Sequence, residues 1–158
     1  MLPAASSIPA SDSFAIRIAT RADAAGLADW LHAHWPLPEL AARGRRAMLE
    51  RLLARPELGA CVVAEAAGRP RACLPALLSP HLGLHGLVAQ ASEWWEAGTP
   101  ASGAYFDACL AALAEWCAAH GVRHLLLAPG LPVAPARRRR HASGLWHIGI
   151  EPGAKSLG

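Results

Sequence analysis

The 158-residue chain lacks the features that would place it in a membrane or carry it out of the cell. No stretch approaches the ~20 consecutive apolar residues that a membrane-spanning helix needs. The first residues, Met1 to Ser7, contain neither the basic segment nor the long apolar core of a secretory signal peptide. We therefore expect a cytoplasmic protein that has no membrane partner.

Several motifs of catalysis and nucleotide binding are also missing. The absence of a G-x-S-x-G elbow argues against a serine hydrolase, and there is neither a G-x-x-x-x-G-K-[ST] loop nor a G-x-G-x-x-G turn. The formal net charge is only +3, and four basic residues are concentrated in one run, Arg137 to Arg140. Because a nucleic-acid-binding protein usually spreads positive charge over a whole face, we predict no nucleic-acid partner.

The cysteines and histidines give no metal motif. The four cysteines form no C-x-x-C pair and have apolar neighbours, so we expect reduced thiols in the core. On a helix, His32 and His34 would point ~200° apart, and His81 and His85 lie in a glycine-containing loop. No cysteine or acid completes a tetrahedral set for either pair, and we predict no metal.

The residues that are present favour one packed domain. Hydrophobic residues make up 53% of the chain and charged residues 17%, which is typical of a globular protein rather than a disordered one. The length suits a single core. We place the domain at residues 14–152, after a flexible lead at 1–13 and before a tail at 153–158.

Periodicity predicts the elements of this domain. The second of four predicted helices, from Glu39 to Ala54, carries an apolar stripe that includes Met48, Leu49 and Leu52. Strands are predicted at 14–18, 59–65, 71–78, 87–95, 122–128 and 144–150, with loop-like residues at 79–86. The other helices are predicted to begin after Thr20, to follow the stripe Phe106, Cys109, Leu110, Leu113, Trp116 and Cys117, and to span 134–142.

Three segments carry a resemblance to the GCN5-related N-acetyltransferase (GNAT) superfamily. Residues 16–27, IRIATRADAAGL, resemble that family's opening I-R-x-A-t-x-x-D-a-x-x-l. Residues 111–127, AALAEWCAAHGVRHLLL, resemble its central helix and following strand, and residues 136–145, ARRRRHASGL, resemble a degenerate A-r-r-f-Y-e-r-l-G-F. The resemblance covers roughly residues 14–152 and identifies a divergent member. It implies a mixed α/β fold, with a mostly antiparallel sheet of six to seven strands flanked by about four helices.

The resemblance also implies a cofactor site. In this family coenzyme A enters a gap between the fourth and fifth strands, and its pyrophosphate lies on backbone N–H groups at the start of the central helix. The family's Q/R-x-x-G-x-G/A loop is degenerate here, because its two small positions fall on Ala104 and Phe106. A shifted cradle of Ser102, Gly103 and Ala104 amides is implied, although Phe106 could simply belong to the core. The other cofactor-binding candidates are Trp94, Trp95 and Arg140.

The catalytic candidates come from the same resemblance. The tyrosine that often protonates the leaving thiolate aligns with Arg140, which cannot donate a proton at neutral pH and could instead belong to a solvated basic face. His141 is the nearest titratable replacement, unless it is an exposed ring. Glu93 and Glu96 flank the tryptophan pair where family bases often lie, so each is a candidate general base or a plain surface residue. The tryptophans could also wall an acceptor pocket, one on each face.

The function that the resemblance implies is transfer of an acetyl or other acyl group from acyl-coenzyme A to an amine. The acceptor would be a small molecule or a protein, acetyl-CoA would be the co-substrate, and a homodimer is allowed. The alternative is a catalytically weakened GNAT-like fold that binds a ligand or another protein. The substituted loop and the missing tyrosine favour this alternative, whereas the fold pattern favours neither.

Overall fold

The computed structural model describes residues 13–98 and 103–152 of the chain. Most of the predicted lead, all of the predicted tail and the candidate Ser102 therefore lie outside the described residues, and the domain bounds stay a prediction. The helices are α1 (Ala24–His34), α2 (Glu39–Ala54) and α3 (Ala104–Ala119). The strands are β1 (Phe14–Ile18), β2 (Gly59–Ala66), β3 (Arg69–His81), β4 (Gly86–Ala91), β5 (Trp95–Glu96), β6 (His124–Leu127) and β7 (Trp146–Gly149).

The seven strands form one sheet in the order β1-β2-β3-β4-β6-β7, and the short β5 pairs with β3. Every pairing is antiparallel except that of β4 with β6, which is parallel. A parallel pair needs a long crossover, and α3 supplies it between these two strands. The predicted class, a mixed α/β fold on a mostly antiparallel sheet, is confirmed.

Helices cover both faces of the sheet, and this produces two apolar clusters. Alternation along β2 sends Val62 and Ala64 towards α3, where they pack in the cluster of Phe106, whereas Cys61 and Val63 face the cluster that includes Leu27 of α1. All four cysteines are free thiols within these clusters. Among the described residues, no helix is both long enough and apolar enough to cross a membrane.

Two sequence-based element predictions were wrong. Half of the loop predicted at 79–86 is strand, since β3 continues to His81 and β4 begins at Gly86, with a 3₁₀ turn, Leu82–Leu84, between them. The helix predicted at 134–142 is only a 3₁₀ turn, Pro135–Arg137. The backbone beyond that turn bonds to β7 instead of continuing a helix: the His147 N–H donates to the Arg139 carbonyl at 2.7 Å. A tertiary partner for these backbone groups therefore overrides the local preference.

An ion-pair cluster joins β1 to β2 and to the turn before α1. The Arg17 guanidinium donates to both carboxylate oxygens of Asp23 at 2.7 Å and to Glu65 Oε1 at 2.6 Å. Asp23 also accepts a hydrogen bond from the Thr20 backbone N–H at 2.7 Å, which forms a capping box at the predicted helix start. The Arg17 bonds, followed by the Thr20 bond, hold the pKa of the Asp23 carboxyl well below its ordinary value.

This cluster predicts a loss of stability in acid. A depressed folded-state pKa means that the stabilisation is complete above the unfolded-state pKa, about 3.9 for Asp, and is lost as the pH falls through the folded pKa. We expect the melting temperature to fall between about pH 5 and about pH 2, and to fall less steeply in Asp23→Asn. Thermal unfolding monitored by circular dichroism checks this. Glu39→Gln, at an exposed pair with Arg43, is the control and should retain the wild-type slope. An unchanged slope in Asp23→Asn would contradict the prediction.

Candidate active site

The sheet parts between β4 and β6. The two strands pair in parallel, from Val88 opposite His124 to Ala91 opposite Leu127. The last hydrogen bond between them runs from the Ala128 N–H to the Ala91 carbonyl, at 2.9 Å. Beyond that point β5 pairs with β3 instead, and the chain after β6 turns away. Within the described residues, no strand pairing connects β5 with β6. A gap therefore opens at the carboxyl ends of β4 and β6.

A β-bulge in the strand formed by β4 and β5 causes this parting. On β3, Leu77 lies opposite Gln90 and Cys73 lies opposite Trp95, so four steps along β3 match five along its neighbour. The extra residue falls within 92–94, and a bulge bends its strand and increases the local twist. Pro75 of β3 lies between the two paired stretches and is paired only with β2 on its other side. The bulge therefore lies opposite Pro75, on the neighbouring strand.

The paired tryptophans point to opposite faces of the sheet at the bulge. Trp94 packs on the α3 side, where its ring meets that of Phe106 at 5.1 Å between centroids. Trp95 packs on the other side, 5.0 Å from the ring of Trp35. Phe106 is fully buried, so it is a core residue that anchors the first turn of α3 against the bulged strand. One of the two indoles thus serves the core and the other faces α1 and α2.

The start of α3 presents backbone N–H groups beside this region. Gly103 is the N-cap, with φ of 80°, and its side chain cannot cap the helix. The N–H groups of Ala104, Tyr105 and Phe106 therefore have no partner within the helix, and together with the helix dipole they favour an anion. Asp107, also in the first turn, is exposed, and its negative charge repels an anion. The arrangement can hold a phosphate, provided that the ligand avoids this carboxylate.

A cavity of about 580 Å³ lies on the other face of the bulge, between the sheet and helices α1 and α2. Two of the predicted site residues, Glu93 and Trp95, line it together. Its remaining walls come from one residue of α1, from α2, from strands β2, β3 and β4, and from two residues that lie just before β2 and just after β4. They are Leu31, Arg45, Met48, Leu49, Arg51, Leu52, Leu58, Cys61, Cys73, Pro75, Leu77, Leu78, Gln90 and Ser92.

The two candidate bases lie in different surroundings. Glu93 lines the cavity, and its charge acts on the Cys73 thiol at the cavity wall. Glu96 instead accepts a hydrogen bond from Trp94 Nε1 at 3.2 Å, and its charge acts on Cys109 of α3. Glu93 therefore lies on the face of the sheet that α1 and α2 cover, whereas Glu96 lies with Trp94 on the face that α3 covers.

The thiol of Cys73 is unsuited to nucleophilic chemistry. A hydrogen bond with Cys61 and burial raise the pKa of Cys73 well above its ordinary value. Because the thiolate is the reactive form of cysteine, a neutral thiol at the cavity wall contributes packing rather than a covalent step.

Arg140 and His141 lie outside the cavity. The Arg140 backbone bridges to Trp146 of β7, and its guanidinium carbon lies 5.4 Å from the centroid of that indole. With β6 and β7 between them, Arg140 and Ala91 are separated by three strand spacings, or roughly 14 Å. His141 Nδ1 bonds with the Ser143 hydroxyl at 2.8 Å. The cofactor role of Arg140 and the acid role of His141 stay predictions.

His141 belongs to a row of four imidazoles that the sequence did not indicate. Its ring centroid lies 5.3 Å from that of His81 and 5.9 Å from that of His147, and His147 Nε2 bonds with His124 Nδ1 at 2.9 Å. Burial, and then the charges of His124 and His141, lower the pKa of His147. No group of three or more histidine, cysteine or acidic side chains in the described part of the chain is arranged to hold a metal ion.

Sequence reasoning missed Arg45, Arg51, Gln90 and Ser92 as site residues. Arg45 and Arg51 lie on α2, whereas Gln90 and Ser92 lie on or just after β4, and only the folded chain brings the two pairs to one cavity. The sequence did indicate the apolar stripe of α2, but it did not indicate that this stripe lines a cavity. Within the described structure no residue of α2 is fully buried: Leu49 and Leu52 pack partly against the cluster that includes Leu27, and with Met48 they line the cavity.

Comparison with solved structures identifies the fold. A GNAT family acetyltransferase from Brucella melitensis in complex with acetyl-CoA is 15% identical, with a TM-score of 0.64 over 89% of this chain and 90% of that one. An aminoglycoside N-acetyltransferase in complex with CoA is 16% identical, with a TM-score of 0.63 over 82% and 83%. A ribosomal-protein-alanine N-acetyltransferase from Brucella melitensis biovar Abortus is 18% identical, with a TM-score of 0.57 over 76% and 83%.

These likenesses show that the chain has the GNAT fold, as its sequence motifs predicted. No protein-family model matches the chain, and no curated protein matches it either. The fold is therefore retained in a sequence that has diverged far from its structural neighbours.

The cap of α3 gives a prediction about stability. At a φ of 80°, an L-residue such as alanine is strained by about 1 kcal/mol, although nothing lies within 4 Å of a Cβ added at Gly103. We expect Gly103→Ala to lower the free energy of unfolding by about that amount, measured by urea denaturation. Gly26→Ala, within α1 and equally open, should raise it by about 0.5–1 kcal/mol. Equal effects of the two substitutions would show that the left-handed cap is not formed.

Proposed function

We propose that the protein transfers an acyl group, acetyl in the first instance, from acyl-coenzyme A to an amine. The observation that carries this proposal is the parting of β4 from β6 beside a cavity lined by Glu93 and Trp95. The gap offers a route for a thioester from one side, and the cavity offers a place for an acceptor on the other. CoA or acetyl-CoA is bound in two of the neighbouring structures, which supports the same donor here.

The donor would be held mostly by backbone. In this proposal the pyrophosphate lies on the N–H groups that begin α3, at Ala104 and the residues after it, with Gly103 allowing close approach. Ser102 would extend the cradle. Because backbone amides do this work whatever the side chains are, the degenerate loop does not by itself exclude binding.

The chemistry is a direct displacement. The free amine attacks the thioester carbonyl carbon and a C–N bond forms. The C–S bond then breaks, and the thiolate takes up, through water, the second proton that the nitrogen gives up. Glu93 takes the proton that the acceptor ammonium must lose, directly or through water. A backbone N–H in the bulge at 92–94 would polarise the carbonyl, and most of the rate would come from positioning. Glu96 is the weaker candidate for the base because it is engaged with Trp94.

A binding function without catalysis is the second candidate. Phe106 fills a position that is small in the family's loop, and Asp107 adds a negative charge to the first turn of the helix on which the pyrophosphate is expected. Both features weaken the donor site without affecting the acceptor cavity. A protein that uses only the cavity would bind the amine and leave it unchanged.

Donor binding is tested by thermal shift. A ligand at 100 times its dissociation constant stabilises a protein by about 2.7 kcal/mol, so we expect saturating acetyl-CoA to raise the melting temperature by several degrees. Ala104→Glu should abolish the shift, since a carboxylate at an exposed helix start suits the dipole but repels a pyrophosphate. Ala111→Glu, also exposed on α3, is the matched control. No shift at about 1 mM ligand would reject the transferase.

The base is tested by kinetics. Glu93→Gln should lower kcat/KM at neutral pH by roughly 10²- to 10⁴-fold, because the acceptor then loses its proton to water alone. The loss should shrink as rising pH supplies free amine, and the acetyl-CoA shift should be unchanged. Glu50→Gln, exposed on α2 and outside the cavity, is the control. A full loss in Glu96→Gln with normal activity in Glu93→Gln would assign the base to Glu96 instead.

A further inference from the structure

The apolar stripe of α2 packs only partly against the core and also borders an open cavity. Met48, Leu49 and Leu52 line this space, and Met48 is 58% exposed. On the facing wall Leu77 of β3 is 56% exposed. An amphipathic helix normally buries its stripe, and apolar surface left around a cavity of about 580 Å³ is typical of a ligand site.

Two positive charges line the same cavity without an acidic partner. Neither Arg45 nor Arg51 forms an ion pair within the described residues, whereas Arg43, Arg46 and Arg55 each pair with a carboxylate. Cavity charge therefore comes from two guanidinium groups and the carboxylate of Glu93. This balance disfavours an acceptor that carries several positive charges and suits one that carries a carboxylate.

Arg45 is held in place for such a role. Its Nη2 donates to the Trp35 carbonyl at 2.8 Å, and its guanidinium carbon lies 5.8 Å from the centroid of the Trp95 ring. A guanidinium has five N–H donors, so most of them stay available after one bond is made. A planar donor group whose position is fixed is well suited to bind a carboxylate through paired hydrogen bonds.

We propose that the acceptor is a free α-amino acid with a large apolar side chain. This inference rests on the proposed acyl transfer and adds the class of its substrate. The amine faces Glu93, the carboxylate binds Arg45 with Arg51 nearby, and the side chain packs on Met48, Leu49 and Leu77. An α-amino acid offers an amine and a carboxylate on one small molecule, and Glu93 and Arg45 line one cavity. The product is the N-acylated amino acid.

The test is binding followed by thiol release with a matched set of acceptors. Phenylalanine should raise the melting temperature and be acetylated, whereas its amide and phenethylamine should be at least about tenfold worse in KM. Alanine, which lacks the apolar body, and spermidine, which carries several charges, should be poor. Arg45→Gln should raise KM for phenylalanine by about tenfold with little change for the amide. The preference for phenylalanine over its amide is then lost.

Controls separate the ways in which this inference can fail. Arg51→Gln removes a cavity charge that makes no hydrogen bond within the described residues, so it should weaken phenylalanine binding even if Arg45→Gln unfolds the protein. Arg43→Gln, on the same helix but outside the cavity, should leave the preference unchanged. If acetyl-CoA binds and amines without a carboxylate are preferred, this inference is overturned while acyl transfer stands. If acetyl-CoA does not bind, both fail.

Discussion

The fold of this protein is organised around a change of hydrogen-bond partner in one strand. After Ala91 the chain stops pairing with β6, passes through a one-residue bulge, and continues beside β3 as Trp95–Glu96. A backbone that bonds on only one side leaves the other side open, and this is the physical origin of the gap. The start of α3 packs beside this bulge, and the bulged strand forms part of the cavity wall.

The same bulge separates the two faces of the site chemically. Trp94 and Glu96 turn towards α3, where the indole packs on Phe106 and donates to the glutamate. Trp95 and Glu93 turn towards α1 and α2 and line the cavity. One short segment thus stabilises the core on one face and supplies charge on the other. In the reaction that we propose, donor and acceptor approach from these two sides and meet at the bulge.

The apolar stripes of α2 and α3 differ in how far they are buried. Most of the stripe of α3 is buried in the main core, whereas α2 leaves Leu40 81% exposed and turns Met48, Leu49 and Leu52 to the cavity. Leaving these side chains partly in water forgoes about 25 cal/mol for each Å² of apolar surface not buried. A ligand that covers them would recover part of that stabilisation, which is why an apolar acceptor suits this cavity.

Much of the scaffold could be predicted because local patterns fix it. Strand alternation at Phe14–Ile18, the stripe of α3 and the left-handed Gly121 after it depend on neighbouring residues, and the motifs of one fold family lie in that order. The cavity could not be predicted, since Arg45, Cys73 and Glu93 meet only through tertiary packing. The same holds for the extended arginine run, whose backbone bonds to β7. Periodicity determines which element forms, but only the packed chain decides which faces meet and which stay open to a ligand.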